Sequence, residues 1–265
     1  MYELPTTDIS ICFSLYDGSH SPVNDLVEIT SAGNIQTEQD KGNGHAMTTT
    51  AQLVSSSESL AERAYLVLRD RLIMMDIAPG DPINEGQLVE ELGIGRTPLR
   101  EALKRLEVDH LVQSYPRRGT FATRVDITEL AAITEVRKAL EPLAAQKAAN
   151  LRGGTARSQM QATAQAVGSL GSHTARRELM ENDLEVHRLI YRAAGNHHLE
   201  ETLIRLDNLA TRIWCMALDR LPTVEEHISE HASLLQVILD GDAPAAKELA
   251  LEHIVHFEES VRAVL

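Results

Sequence analysis

Apolar positions along this chain begin to repeat at helical spacing just after Ser59 and continue to do so, with short breaks, to the C-terminus. The first amphipathic helix is followed by a second, shorter helix that starts after Asn84, a residue suited to cap its first turn. Gly93 and Gly95 interrupt the pattern before a third helix, which Thr97 is expected to cap. The pattern therefore predicts a helix followed by a helix-turn-helix.

Two short segments of alternating polarity follow, at residues 111–115 and 120–125, and the basic sequence Pro116–Gly119 joins them. This arrangement predicts a β-hairpin with a positively charged tip. From Asp126 onward, breaks at glycine and proline residues separate six predicted helices. Their expected ranges are 126–151, 155–170, 174–194, 197–219, 224–240 and 243–264. The predicted fold is mainly α, with an N-terminal winged helix-turn-helix domain and a C-terminal all-α helical bundle.

The expected domain boundaries follow from composition. Residues 1–56 are rich in polar residues, lack a sustained period and contain seven acids and one lysine, so we expect a disordered acidic tail. Met47 is an alternative start of the natural protein. The winged-helix domain is expected at 57–125. Residues 126–265 are expected to form an all-α domain that dimerises and binds a small-molecule effector and a metal. No segment approaches the length of about 18 apolar residues that a membrane span requires.

Charge is distributed unevenly, and this changes the functional interpretation. The chain carries a net charge of -14, but residues 86–124 contain seven basic and five acidic residues. A locally positive surface on an otherwise acidic protein favours specific docking to DNA over nonspecific coating. An exposed cationic helix supplies donors for guanine edges, and its N-terminus attracts phosphate. The expected DNA contacts are Arg96, Thr97, Arg100, Lys104, Arg117, Arg118 and Gly119.

Specific motifs in this region resemble the GntR family of bacterial transcription regulators. They are Pro79-Gly80, the run from Arg96 to Leu103 followed by Leu106-Glu107, and Arg118-Gly119. The resemblance covers about residues 58 to 125 and implies a winged helix that binds operator DNA. This chain departs from the family at Gly95, where a small hydroxyl residue is usual, and at Asp109-His110, where an acid-glycine pair is usual.

Candidate metal ligands are spread over the C-terminal helices. Asp183 and His187 are four residues apart, so their side chains project from one helix face, and His231 and His253 lie on later helices. One carboxylate and three imidazoles would suit Zn²⁺, Ni²⁺ or Mn²⁺ and leave coordination positions open. Spacing alone does not choose among the eleven histidines. His227 competes with His231, and His256 competes with His253.

A second resemblance bears on this choice. The segment from Asp183 to Asn196, together with Glu230-His231, Gly241-Asp242 and His253, resembles the ligand-sensing FCD domain of FadR-type GntR regulators. In the metal-containing members an Asp and three His occupy these motif positions, which implies the ligand set Asp183, His187, His231 and His253. The resemblance covers about residues 130 to 255 and implies a divalent transition metal, with Zn²⁺ as the first expectation. On this basis His227 is expected to lie on the wrong helix face.

The same resemblance implies an effector. Arg137 opens a segment similar to the first helix of the family's sensing domain, so its guanidinium is expected to hold a carboxylate; the alternative is an ion pair with Glu141 one turn later. Arg212 is a second expected effector-binding residue. A metal ion and an arginine in a helical cavity together indicate a small organic acid.

The sequence as a whole indicates a cytoplasmic, homodimeric transcription regulator that binds a pseudo-palindromic operator, most simply as a repressor. A dimer is expected because one winged helix contacts few bases. Two distant cysteines, Cys12 and Cys215, fit a reducing compartment. Two alternatives stay open: a regulator for which the metal ion is itself the signal, and a metal-dependent hydrolase. A hydrolase would require a general base and would leave the DNA-binding half unexplained, so no enzymatic activity is expected.

Overall fold

The computed structural model describes residues 59–150, 154–169, 174–221 and 224–265. The expected tail of residues 1–56 lies outside the described residues. Within the described ranges the chain forms nine α-helices and one two-stranded antiparallel sheet. The prediction of a mainly α fold, with a winged helix-turn-helix before a helical bundle, is confirmed. None of the described helices has the length and apolarity that crossing a membrane would require.

The winged-helix domain consists of three helices and a hairpin. Its elements are α1 (Leu60–Ile73), α2 (Glu85–Leu92), α3 (Arg96–Val108), β1 (Val112–Tyr115) and β2 (Gly119–Ala122). Ser59 caps α1, and Asn84 caps α2 by accepting a hydrogen bond of 3.1 Å from the amide of Gln87. Gly93 ends α2 in the left-handed conformation, with φ 61°, which glycine adopts without steric cost.

The expected cap of α3 is wrong. The helix begins two residues earlier than that cap implies, at Arg96, so Thr97 lies inside the first turn and Gly95 occupies the N-cap position. Glycine has no side chain that can accept a hydrogen bond from the first-turn amides. The departure from the family pattern at Gly95 therefore leaves these amides available to an external acceptor such as a DNA phosphate.

The Pro79-Gly80 motif forms the turn that returns the chain from α1 to the wing. Gly80 has φ 91°, a conformation that favours glycine, and its amide donates to the carbonyl of Ala122 at 3.0 Å. The amide of Ile83 donates to the carbonyl of Thr120 at 2.8 Å. The segment after the turn thus runs along β2 and holds the hairpin against the helices.

The helical domain follows a 3-10 turn at Ile127–Glu129 and contains the remaining six helices. They are α4 (Leu130–Ala149), α5 (Thr155–Gly168), α6 (Arg176–Ala193), α7 (His197–Ala217), α8 (Val224–Asp240) and α9 (Ala243–Val264). The helix α4 packs mainly on α9 and α7, and α5 packs on α8. This packing places α6, α8 and α9 around a common interior, where the predicted metal ligands lie.

Each domain has its own apolar core, and side chains such as Met74 and Leu209 pack against both cores. The winged-helix core includes Leu68, Leu72 and Leu99, all fully buried. Leu184 of α6 is buried in that same core, although its helix belongs to the helical domain. The two domains therefore share apolar packing as well as a linker.

Candidate metal centre and nucleic-acid interface

The third helix presents a cationic face to solvent. Leu99, Leu103 and Leu106 are buried against the rest of the winged-helix core. The expected contacts on this helix are all exposed: Arg96, Thr97, Arg100 and Lys104. Arg100 pairs with Glu85 at 3.2 Å, but its side chain remains 64% exposed. An exposed pair of this kind is weak, so the guanidinium can exchange its partner for a base edge or a phosphate.

The wing places two more cations beside this helix. Arg117 and Arg118 form the exposed hairpin tip, where Arg117 has φ 62° and Gly119 has φ 94°. The amide of Ser114 donates to the carboxylate of Glu107 at 2.7 Å, which fixes the wing against the end of α3. The wing therefore lies beside α3, with both of its arginines exposed.

A further arginine on α3 has a structural role instead. The guanidinium of Arg105 lies 3.9 Å from the centroid of the Tyr65 ring and forms an ion pair with Glu62. The Tyr65 hydroxyl in turn donates to Asp109 at 2.8 Å. Arg105 thus holds α1 against α3 through Tyr65 and Glu62.

The four predicted metal ligands converge in the helical domain. Asp183 and His187 come from α6, His231 from α8 and His253 from α9, and all four are buried. One potential ligand atom from each lies within 4.8 Å of the others. The Nε2 atoms of His231 and His253 each lie 3.3 Å from Nε2 of His187. An ion bound at about 2.1 Å to each nitrogen would hold such atoms about 3.0 to 3.4 Å apart, for octahedral or tetrahedral angles.

Neighbouring polar groups orient these rings. Nδ1 of His187 lies 3.1 Å from the Tyr191 hydroxyl, and Nδ1 of His253 lies 2.9 Å from a carboxylate oxygen of Glu230. A carboxylate can only accept, so His253 carries its proton on Nδ1 and directs the Nε2 lone pair into the cluster. Among the described residues, Oδ1 of Asp183 has no hydrogen-bond partner. A cation placed among these nitrogens would supply the partner that this buried oxygen lacks.

Burial sets most of the ionisation at this cluster. It lowers the pKa of His231 and of His253 well below the usual value, so both are neutral and able to bind a metal. Burial also raises the pKa of Asp183 to about 7, partly against the attraction of His187. Burial acts to lower the pKa of His187, but the nearby carboxylates of Asp207 and Glu141 outweigh this effect and raise that pKa to about 9.

The expectation that His227 lies on the wrong helix face is not met. His227 is buried, and its Nε2 lies 3.8 Å from Oδ1 of Asp183. Its ring stacks on that of His253 at a centroid distance of 4.1 Å. His227 and His231 are one helical turn apart and share a face, and the interior is wide enough for both rings. By contrast, the side chain of His256 is 56% exposed at the rim and lies 3.0 Å from Glu230.

Arg137 lies beside the cluster, where it is held between two carboxylates. It forms an ion pair with Glu141 one turn along α4 and another with Asp207 of α7 at 3.1 Å. All three side chains are buried. Burial acts to raise the pKa of Glu141, but Arg137 and His187 outweigh it and lower the pKa to about 2. The ion pair with Glu141, one of the two expected arrangements, is therefore present, and Asp207 is a partner that sequence analysis missed.

Arg212 makes different contacts from those that an effector role requires. Its two terminal nitrogens donate to Thr123, at 2.6 Å to the side-chain oxygen and 2.8 Å to the carbonyl. Thr123 follows β2 in the winged-helix domain. Arg212 contacts Thr123 because it projects from the face of α7 that packs towards α1 and the wing. The structure therefore gives no support to the expected effector contact of Arg212.

The outer side of α6 also contacts the winged-helix domain. Arg177 donates two hydrogen bonds to Asp76, at 2.7 and 3.0 Å, and Arg188 donates to Asp70 at 3.0 Å. Asp70 lies in the last part of α1, and Asp76 follows that helix. Since α6 also carries Asp183 and His187, one rigid element joins the metal-ligand cluster to the DNA-binding half.

Comparisons with known proteins agree with both halves of this description. Residues 60–122 match the family described as bacterial regulatory proteins, gntR family, and residues 132–256 match the FCD domain. Among solved structures, E. coli McbR/YncC superposes with a TM-score of 0.68 and 19% identity, covering 77% of this chain and 98% of that one. At that identity the likeness concerns the fold.

Sequence relatives extend along most of the chain. The HTH-type transcriptional repressor RspR of Escherichia coli (strain K12) is 24% identical, over 82% of this chain and 95% of the relative. An uncharacterized HTH-type transcriptional regulator of Agrobacterium vitis is 30% identical, over 56% of this chain and 81% of the relative. These families and relatives are transcriptional regulators rather than enzymes, as expected. The chain is a DNA-binding transcription regulator that belongs to the GntR family, with a gntR-type helix-turn-helix domain followed by an FCD domain.

Proposed function

We propose that this regulator is a homodimeric, cytoplasmic repressor whose affinity for a pseudo-palindromic operator is controlled by a small carboxylate bound at a metal ion in the helical domain. The observation that carries the proposal is that one potential ligand atom from each of Asp183, His187, His231 and His253 lies within 4.8 Å of the others, while Oδ1 of Asp183 has no hydrogen-bond partner among the described residues. Repression is proposed because relatives such as RspR are named repressors. A dimer is proposed because two recognition helices are needed to contact enough bases.

The donor set fits a divalent transition metal. Asp183 offers a carboxylate oxygen, and His187, His231 and His253 offer imidazole nitrogens from three different helices. Such nitrogen and oxygen donors suit Zn²⁺, Ni²⁺ or Mn²⁺. A bound ion would supply positive charge and open coordination positions for carboxylate oxygens. It would also link α6, α8 and α9, so it should stabilise the helical domain.

Arg137 supports a carboxylate effector only indirectly. Because Glu141 and Asp207 already neutralise its guanidinium, an incoming carboxylate would compete with two buried partners. We therefore propose that the ion provides most of the affinity, while Arg137 keeps the surrounding carboxylates in place. Glu141 lies 3.5 Å from Nδ1 of His187, so this positioning extends to a proposed ligand.

The proposed regulation operates through α6. An effector can regulate only if it binds one placement of the winged-helix domain more tightly than another. Any shift of Asp183 or His187 moves the helix that also carries Arg177, Leu184 and Arg188. Those three side chains contact the winged-helix domain, so the shift would be transmitted to the recognition helix.

The ligand set is tested by replacing His231 with Ala and measuring metal content by elemental analysis. Wild type should hold metal at each chain, and His231→Ala should lose it together with thermal stability. A ligand that binds only the folded state stabilises it by about 2.7 kcal/mol at a free concentration one hundred times Kd. His197→Ala is the matched control, since the His197 side chain is exposed and lies at the start of α7, where it pairs with Glu201.

Operator affinity measured on the same variants separates the remaining possibilities. Without effector, His231→Ala should bind operator nearly as wild type does, because the winged-helix domain is intact. If metal addition to the stripped wild type changes operator affinity by itself, the ion is the signal and the carboxylate proposal is wrong. Full metal occupancy in His231→Ala would contradict the proposed ligand set.

A further inference from the structure

The helical domain contains a fourth buried imidazole, that of His227, next to the four proposed ligands. His227 precedes His231 by one turn of α8, so both side chains project from the same face towards α6 and α9. Its side chain is only 9% exposed. The family resemblance implied no role for this position.

The surroundings of His227 fix the direction of its ring. Trp214 meets it edge-on at a centroid distance of 4.5 Å, and His253 stacks on it at 4.1 Å. Its Nδ1 faces the rim carboxylate of Glu230 at 3.8 Å, while its Nε2 faces the interior. Carboxylate oxygens thus lie 3.8 Å from both ring nitrogens, Glu230 beside Nδ1 and Asp183 beside Nε2, so an ion bound at Nε2 would leave the ring proton on Nδ1, facing Glu230. The Nε2 lone pair is then directed inward, as for His253.

Three imidazole nitrogens surround the unpartnered oxygen of Asp183 at nearly equal distances. Nε2 of His231 lies 3.7 Å from Oδ1 of Asp183, Nε2 of His227 lies at 3.8 Å, and Nε2 of His187 lies at 3.9 Å. His227 is therefore as near to this carboxylate oxygen as two of the residues that the family pattern implies as ligands. We propose that His227 is a fifth protein ligand of the metal ion, bound through Nε2. This inference rests on the proposed metal site.

A fifth protein donor changes the chemistry expected of the site. A four-coordinate tetrahedral ion cannot accept Asp183 and four imidazoles, so the site favours an ion that adopts six-coordinate geometry, such as Ni²⁺, Co²⁺ or Mn²⁺. Only one position then remains for an external ligand. A carboxylate effector would bind through a single oxygen, and small monodentate anions would compete with it.

Counting the coordinated histidines tests the proposal directly. Full-length protein is stripped with a chelator and loaded with Co²⁺, and its proton NMR spectrum is recorded in H₂O and D₂O. Each imidazole bound through Nε2 contributes one strongly shifted Nδ1 proton that disappears in D₂O. Wild type should give four such resonances. His227→Phe, which keeps an aromatic ring against Trp214 and His253, should give three.

A matched variant and a titration complete the test. His256→Ala should keep four resonances, because His256 contacts Glu230 at the rim and not the cluster. A tenfold or greater loss of Co²⁺ affinity in His227→Phe is expected. Affinity alone does not identify a ligand, because residues that only orient ligands also change it about 10–100-fold.

Three exchangeable resonances in wild type, unchanged in His227→Phe, would overturn the assignment of His227 while leaving the metal site intact. No binding of Co²⁺ by wild type would instead remove the proposed metal site, and this inference with it. Since the count in wild type is decisive by itself, the test does not depend on how well the variant folds.

Discussion

Replacing Arg137 by Met tests whether its charge is needed to compensate two buried acids. Arg137 lies between Glu141 and Asp207, and these side chains are 5% and 2% exposed. Methionine keeps much of the length of the side chain but removes the charge. Breaking a buried ion pair by removing one partner costs about 3–5 kcal/mol, because a charge is left buried without compensation. We predict a destabilisation of that size.

The expected change is large enough for a simple assay. For a domain of this size, 1 kcal/mol shifts the melting temperature by about 2–4 °C, so Arg137→Met should melt about 6–20 °C below wild type. Both proteins are compared by circular dichroism in the presence of a chelator, so that any change in metal affinity does not contribute.

A neighbouring substitution controls for the loss of one positive charge. Lys138→Met lies on the same helix, but Lys138 is 34% exposed and pairs with Glu258 near the surface. Because Lys138 is partly exposed and Glu258 keeps a second partner, Arg262 at 2.7 Å, this variant should melt within a few degrees of wild type. If Arg137→Met and Lys138→Met melt at the same temperature, the argument from buried charge is wrong.

Four further outcomes are expected. Arg100→Ala should weaken operator binding by about 1–3 kcal/mol in gel-shift titrations at fixed salt, with fold and dimerisation unchanged; equal affinity would remove α3 as the recognition helix. Metal affinity should rise from pH 7 to pH 9, because His187, with a pKa of about 9, and Asp183, with a pKa of about 7, must lose protons to bind. Calorimetry in two buffers should therefore detect released protons, and an affinity independent of pH would contradict this. Arg188→Ala should keep its metal but reduce the effector-dependent change in operator affinity; an undiminished response would exclude this contact from the coupling. Deleting residues 1–46 should leave melting temperature and operator affinity nearly unchanged, and a loss of several degrees would refute the prediction.

The positions of the helices could be predicted from the sequence because helical periodicity and glycine breaks are local signals. The predicted helix 243–264 coincides with α9. In place of the predicted helix 126–151, the structure has a 3-10 turn followed by α4 (Leu130–Ala149). The expected cap at Thr97 failed because the preceding glycine already has an extended backbone, so the helix starts at Arg96. A hydroxyl near a helix start does not by itself determine which residue is the cap.

Only part of the candidate metal site could be predicted from the sequence. A motif places Asp183 and His187 on one helix face, but spacing cannot show how wide the interior is, and that width admits His227 as well as His231. Asp207 gave no signal, since one more acid on an amphipathic helix is ordinary. The contact between Arg212 and Thr123 depends on how the two domains pack, which periodicity does not report.

The outer face of α6 has a consequence for chimeric regulators. A helical domain can be joined to a different winged-helix domain only if the new partner offers counterparts of Asp70 and Asp76 and a pocket for Leu184. These contacts lie apart from the exposed cations of α3 and from the side chains of the metal-ligand cluster. Substitutions there should therefore change how tightly the two domains are coupled while both of those sets of side chains stay the same.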